Sequence, residues 1–176
     1  GETVSYFAAA LARRTTGWSG EELDLDEVED LDGVIEALRQ SAGDDADVAL
    51  LVFEENDEWL GIVRVDEDAD PRVFVSDGRV VETSSIGAIL GEAAAVDDPD
   101  DDAEDGEDDD EDDDDEESIG GPGDPIGDAD LLADLGTSGG RLLALCAEEG
   151  QLPADILSAV CESAGCGDAL ESLRET

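Results

Sequence analysis

The chain contains no lysine, no histidine and no methionine. All eight of its basic residues are Arg, set against 53 Asp and Glu, for a formal charge of −45 over 176 residues. Without lysine there is no Schiff-base chemistry and no P-loop cation; without histidine the commonest general base is missing. So few cations also argue against direct nucleic-acid binding, because a phosphate backbone is held by cations that displace its condensed counterions. Arg13 and Arg14 are the only adjacent basic pair, and two charges do not make a basic patch. Anionic membrane surfaces are excluded on the same ground. Basic proteins and cations remain suitable partners.

Long apolar runs are missing too. No stretch approaches the roughly 20 residues needed to cross a bilayer, and no basic segment followed by an apolar one marks a secretory signal. Cysteine is scarce and odd in number, Cys146, Cys161 and Cys166, which argues against a disulfide framework. A reducing cytoplasm is the expected setting.

What the chain has in excess is acid, unevenly spread. Residues 97–117 hold 18 acids and no base, while the segments on either side are acidic in their own right. A GC-rich genome or a high-salt cytoplasm would produce the same bias outside the run. The expected organisation is an α+β domain over 1–96, an acidic and Gly/Pro-rich disordered linker over 97–127, and a small helical module over 128–176. The linker cannot bury apolar area to offset chain entropy, and self-repulsion extends it. About 30 such residues span on the order of 30 Å, more when charged.

In the first zone, "VSYFAAALARR" and "WSGEELDL" flank Thr15-Thr16-Gly17 and read as a hairpin. Helix propensity favours the Ala-rich run as a helix, but Tyr6, Phe7 and the turn signal favour strand. "DEVEDLDGVIEALRQ" predicts a helix with Val28, Leu31, Ile35 and Leu38 on one face, Asp26 and Glu29 as a capping box, and Gly43 as its stop. "DVALLVF", "EWLGIVRV" and "PRVFVS" are β-rich, with turns at Asn56-Asp57 and Asp66–Pro71. Trp59, Val63 and Val65 alternate with Leu60 and Ile62, so both faces are apolar and this strand is expected to be central. "SSIGAILGEAA" closes the zone as a helix capped by Ser84 or Ser85, with Ile86, Ile89 and Leu90 facing inward. The order β-β-α-β-β-β-α describes an antiparallel sheet with two covering helices.

The C-terminal zone reads as four short helices, stopped by Gly136, Gly150 and Gly165, with Pro153 in a first turn. Leu132, Leu135, Leu142, Leu145, Ile156, Val160, Leu170 and Leu173 are its expected core. So small a bundle needs to dock on the first domain or on a partner.

Candidate chemistry is thin. "GGPGDPIG" lacks the Lys and hydroxyl of a phosphate cradle and reads as linker. The C-x14-C-x4-C spacing of the three cysteines lacks a fourth ligand and a C-x2-C pair, so packing is favoured over zinc. Asp66, Asp68, Asp70 and Asp77 occupy ligand positions of a Ca²⁺ loop, but Pro71 replaces its turn glycine and the flanks are strands, which favours a hairpin turn. Trp18 and Trp59 are expected in or beside the sheet. No catalytic, cofactor-binding or metal-ligating residue is assigned, and no cofactor is expected.

"SYFAAALARR…GWSGEELDLDEVEDLD", "EWLGIVRVDEDADPRVFVSD", the acidic interruption and "LLADLG…RLLALCAEEGQLPADILSAV" together resemble the actinobacterial tRNA adenosine deaminase-associated proteins. The resemblance spans both flanking zones. It implies a link to the deaminase that makes inosine in tRNA, and carries no catalytic residues with it. The chain is not that deaminase: zinc nucleobase deaminases need H-x-E and P-C-x-x-C, and both are missing.

The sequence therefore supports a non-enzymatic accessory or regulatory protein that binds another protein, with a tRNA-modifying adenosine deaminase as the partner that the resemblance implies. Two alternatives stand beside it. One is an acidic nucleic-acid mimic that masks a basic tRNA-binding surface; the other is a metal-dependent enzyme built on Asp, Glu, Cys or Arg. Oligomeric state is not encoded legibly.

Overall fold

The computed structural model describes residues 6–25, 27–43, 45–55, 58–66, 71–96, 125–147 and 152–174. The acidic run, the Asn56-Asp57 turn, residues 67–70 and Gly150 lie outside the described residues.

The described residues open on two strands, the Ala-rich β1 (Tyr6–Arg14) and β2 (Gly17–Glu22), which carries Trp18, joined through Thr15-Thr16 with Gly17 at φ 122°. The strand reading of the Ala-rich run is correct, because β1 lies between β2 and β3 and is hydrogen-bonded along both edges. Ladder bonding on both sides outweighs the modest helix propensity of alanine. Helix α1 (Leu31–Ala42) follows, then β3 (Val48–Glu55), β4 (Trp59–Asp66) and β5 (Arg72–Val75). Two helices, α2 (Val80–Thr83) and α3 (Ser85–Val96), complete the first part of the chain. After the acidic run come a two-residue strand β6 (Ile126–Gly127), a 3₁₀ helix (Ala129–Leu135), and helices α4 (Gly139–Ala147), α5 (Pro153–Ala164) and α6 (Gly167–Arg174).

All six strands form one antiparallel sheet in the order β2-β1-β3-β4-β5-β6. The expected α+β architecture is present, with one short helix, α2, and one strand more than the sequence pattern shows. That strand is too short to carry an alternation: Ile126 and Gly127 pair with Val75 and Phe74. They fall at the end of the stretch read as linker, where Gly and Pro conceal the pairing.

Side-chain alternation sends the residues of β1, β3, β4 and β5 to two separate cores. Ala8, Ala10, Ala12, Leu51, Phe53, Trp59, Val63 and Val75 face one side and pack with Val34, Leu38 and Leu90 from α1 and α3. Ala9, Leu11, Leu50, Val52, Leu60, Ile62 and Phe74 face the other and pack with Leu132, Leu142, Leu157, Val160 and Leu170 from the C-terminal helices. The sheet thus has helices on both faces. This explains why β4, expected to be central, is apolar on both sides.

The caps explain the helix boundaries, and one expectation is corrected. Helix α1 begins at Leu31 under Asp30, whose Oδ1 accepts the Gly33 N–H at 3.0 Å. The proposed cap Asp26 lies outside the described residues, and Val28 precedes the first turn rather than riding on the helix. The buried seam is Val34, Leu38 and Ala42, with Leu31 and Ile35 half-buried beside it. Gly43, at φ 82°, ends the helix by donating to Arg39 O at 2.9 Å. Ser84, extended between α2 and α3, accepts the Gly87 N–H on its Oγ at 3.1 Å, and Ile86 and Leu90 point inward as expected.

Among the C-terminal elements, the first is 3₁₀ rather than α. Asp128 caps it through the Asp130 N–H, and Gly136, left-handed at φ 106°, stops it after seven residues. Pro153 opens α5 and Gly165 closes it in the left-handed region, as the spacing predicts.

Candidate functional site

The strongest electrostatic feature is a charge buried between the layers. Arg64 sits on β4 on the face covered by the C-terminal helices, and is 4 % exposed. A buried guanidinium is tolerated only when its donors are satisfied, and here they are spread over four acceptor atoms on three residues. Nη1 donates to Leu131 O at 2.6 Å and to Asp134 Oδ1 at 2.6 Å; Nη2 reaches Asp134 Oδ2 at 3.0 Å. Nε donates to Asp66 Oδ1 at 2.7 Å. The hydrogen bond to Asp134, reinforced by Asp66, pushes the Arg64 pKa further up, and the same hydrogen bond holds Asp134 below the usual carboxylate range.

Arg72, paired across the ladder with Arg64, adds a second tie from β5 to Asp128 at 3.0 Å. Both arginines therefore fasten the 3₁₀ helix and its cap to the sheet. This cluster clips the C-terminal layer in place.

The residues singled out from sequence fall as follows. Cys161 and Cys166 are buried, flanking the Gly165 stop, where the Cys166 N–H donates to Cys161 O at 2.8 Å. Cys146 is half-buried on α4, and burial pushes its thiol up to about 11. Among the described residues no disulfide joins the three cysteines, and no group of metal-ligating side chains occurs. Asp66 is engaged by Arg64, and Asp77 by Arg79 at 2.8 Å, which lowers the Asp77 pKa. The structure thus commits the two described members of the Ca²⁺-loop pattern to separate ion pairs; Asp68 and Asp70 lie outside the described residues. Trp59 is buried and donates from Nε1 to Glu55 Oε1 at 2.9 Å, while Trp18 is half-buried against the C-terminal core. Arg13 pairs with Asp47 at 3.3 Å, and Arg14 bonds Ser19 Oγ and the carbonyl of Ala42, the last residue of α1.

Open clefts lie on the surface of the described residues. One of about 370 Å³ lies at the C-terminal end of α1 against β3 and β4, where Arg39 and Asp66 are its charged lining residues. Another of about 550 Å³ is lined by Glu58, Asp77, Arg79 and Val80.

One feature escaped the sequence reading. Among the described residues, the exposed large hydrophobic side chains are Leu143, at 41 %, and Leu152, at 48 %. Helix α4 buries Gly139 and Leu142 and half-buries Leu145 and Cys146, which leaves Gly140, Arg141, Leu143, Ala144 and Ala147 outward. The signal was present in "RLLAL": three leucines in four residues cannot share one face of a helix that turns about 100° per residue.

These features define an α+β protein, one antiparallel sheet with helices on both faces and an arginine clip between its layers. The chain belongs to the Rv3753c-like tRNA adenosine deaminase-associated protein family, whose model matches residues 6–167. The family suspected from the sequence is the one found. Neither the curated proteins nor the solved structures contain a match to the chain.

Proposed function

We propose that the chain is a non-enzymatic accessory or regulatory protein that binds a tRNA-modifying adenosine deaminase. The observation that carries this is membership, over residues 6–167, of a family described as deaminase-associated. The charge balance supports it. An enzyme that acts on tRNA must present cations to a phosphate backbone, and a chain with a formal charge of −45 is complementary to such a surface. In this reading residues 1–96 and 128–176 are two modules, and the acidic run is their tether.

The test is co-purification of the chain with the tRNA adenosine deaminase of the same organism at moderate salt. A complex is expected. Absence of binding at micromolar concentrations would overturn the reading.

The 18 acids of residues 97–117 favour a second reading, in which the run imitates a phosphate backbone and occupies the partner's tRNA-binding surface. Deleting 97–117 then abolishes binding, and affinity falls steeply with salt. If the deletion leaves affinity unchanged, the run is a tether only.

A further inference from the structure

Helix α5 ends in a turn that carries two of the three cysteines. The N–H of Gly165, left-handed at φ 101°, donates to the Cys161 carbonyl at 2.9 Å, and the N–H of Cys166 donates to the same oxygen at 2.8 Å. The second bond closes a Schellman motif, in which the residue after the left-handed glycine meets the side chain one turn back. Both positions of that contact are cysteine here. The Cys166 carbonyl in turn accepts the Leu170 N–H at 3.1 Å and opens α6, so one residue closes a helix and starts the next.

The hydrogen bond limits how far apart the two residues lie. A Cα stands about 2.4 Å from its own carbonyl oxygen and, across an N–H···O bond of this length, about 3.8 Å from the acceptor. The Cα atoms of Cys161 and Cys166 are therefore no more than about 6 Å apart, inside the ~4.4–6.8 Å that a disulfide spans. Their side chains also share a side. Cys161, 1 % exposed, and Cys166, 0 % exposed, belong to the one apolar cluster between the sheet and the C-terminal helices. Cys146 is on α4, outside this turn.

We propose that Cys161 and Cys166 are a disulfide-forming pair, closed by exchange with a small disulfide such as oxidised glutathione, and that the bond locks the end of α5 to the start of α6. One cysteine, as thiolate, attacks the small disulfide, forms a mixed disulfide and releases one small thiol. The other attacks the protein sulfur of that mixed disulfide, forms the Cys161–Cys166 bond and releases the second. Two protons and two electrons leave the cysteines and end on two molecules of the small thiol. Burial governs the rate, because exchange needs the corner to open. The Trp18 indole covers it: a Cβ on Gly165 would lie 3.4 Å from Trp18 Nε1. An odd cysteine count is then one pair and a spare, Cys146.

The experiment uses the full chain carrying Cys146→Ser, which leaves the pair as its only thiols. It is equilibrated with reduced and oxidised glutathione in native buffer and in denaturing urea, starting from the reduced chain and from chain oxidised in urea and refolded. Thiols are trapped by alkylation and the oxidised fraction is read by mass. Cleavage after Glu162, between the two cysteines, leaves its two fragments joined only through the disulfide. The equilibrium constant for closing the bond is expected to be about tenfold larger in native buffer than in urea, because the folded turn already holds the sulfurs together. The oxidised chain is expected to show the higher urea midpoint for the same reason.

A constant in native buffer equal to or below that in urea would mean that the fold holds the sulfurs apart, and overturns the pair. Wild type oxidised in native buffer supplies a second reading that needs no substitution. Linkage of Cys161 to Cys166, with Cys146 left to be alkylated in urea, is the expected result. Linkage of Cys146 to either of the others overturns the proposal.

Discussion

Arg64 and Asp134, 70 residues apart in the chain, meet in a two-point ion pair at 2.6 and 3.0 Å across the boundary between sheet and C-terminal layer. The forked geometry uses the planarity of guanidinium, which an ammonium cannot reproduce.

Removing the cation leaves the Leu131 carbonyl, Asp66 and Asp134 facing an apolar side chain. Arg64→Met is expected to destabilise the fold by about 2–3 kcal/mol, below the range for fully buried pairs because the Asp134 side chain is 61 % exposed and rehydrates. Asp134→Ala leaves Arg64 bonded to Asp66 and Leu131 and is expected to cost about 1 kcal/mol. Urea midpoints of the two variants test the order; equal costs would mean that the clip contributes nothing beyond surface charge.

The same pair makes stability depend on acid. Asp134 has its folded-state pKa lowered by the hydrogen bond and charge of Arg64. A depressed carboxylate pKa stabilises the fold fully above the unfolded value of about 3.9, and the contribution is lost as pH falls through the lower folded value. The difference in unfolding free energy between wild type and Asp134→Asn is therefore expected to be constant from about pH 8 to about pH 5 and to shrink below about pH 4. Denaturant titrations at those values check it. A difference that persists at about pH 2 would show that Asp134 acts through packing.

Cysteine reactivity follows burial. With the Cys146 thiol raised from 9.0 to about 11, its thiolate fraction near pH 8 is about 100-fold below that of a free thiol, and the thiolate is the reactive form. Cys161 and Cys166 are 1 % and 0 % exposed. Alkylation followed by mass spectrometry is expected to find all three slow in the folded chain and fast in urea. Rapid native labelling of Cys146 would contradict its burial.

Two glycines on helices should respond oppositely to alanine. A Cβ on Gly87 would lie 2.3 Å from the Val80 carbonyl oxygen, where α3 crosses α2, whereas one on Gly140 meets nothing within 4 Å. Gly87→Ala is expected to destabilise by about 1–3 kcal/mol through overpacking against backbone. Gly140→Ala is expected to stabilise by up to about 1 kcal/mol through helix propensity. Thermal melts of the two variants check the sign.

Legibility in the sequence followed the range of the signal. The caps at Ser84 and Gly43, the turn at Gly17 and the alternation of β4 are local patterns, read within a few residues, and each is found where its chemistry places it. Helix α1 was placed early because acids precede it from Asp24 onward, so several positions can serve as cap; only the Asp30-to-Gly33 bond selects one. Strand β6 was missed because two residues hold no period. The face of α4 was missed because "RLLAL" was read for the leucines that bury rather than the one left over.

By itself the sequence determined most of the elements, their order and the acidity, because propensity, caps and composition act within a residue's own neighbourhood, and the family followed from the resemblance of longer stretches. Only the tertiary structure decided that the C-terminal helices cover the second face of the sheet, that Arg64 takes Asp134 as its partner, and that Leu143 stays in water. Among 53 acids no arginine's partner can be read from spacing. Which apolar side chains are covered depends on surfaces that meet across the acidic run, and sequence periodicity carries no record of that meeting.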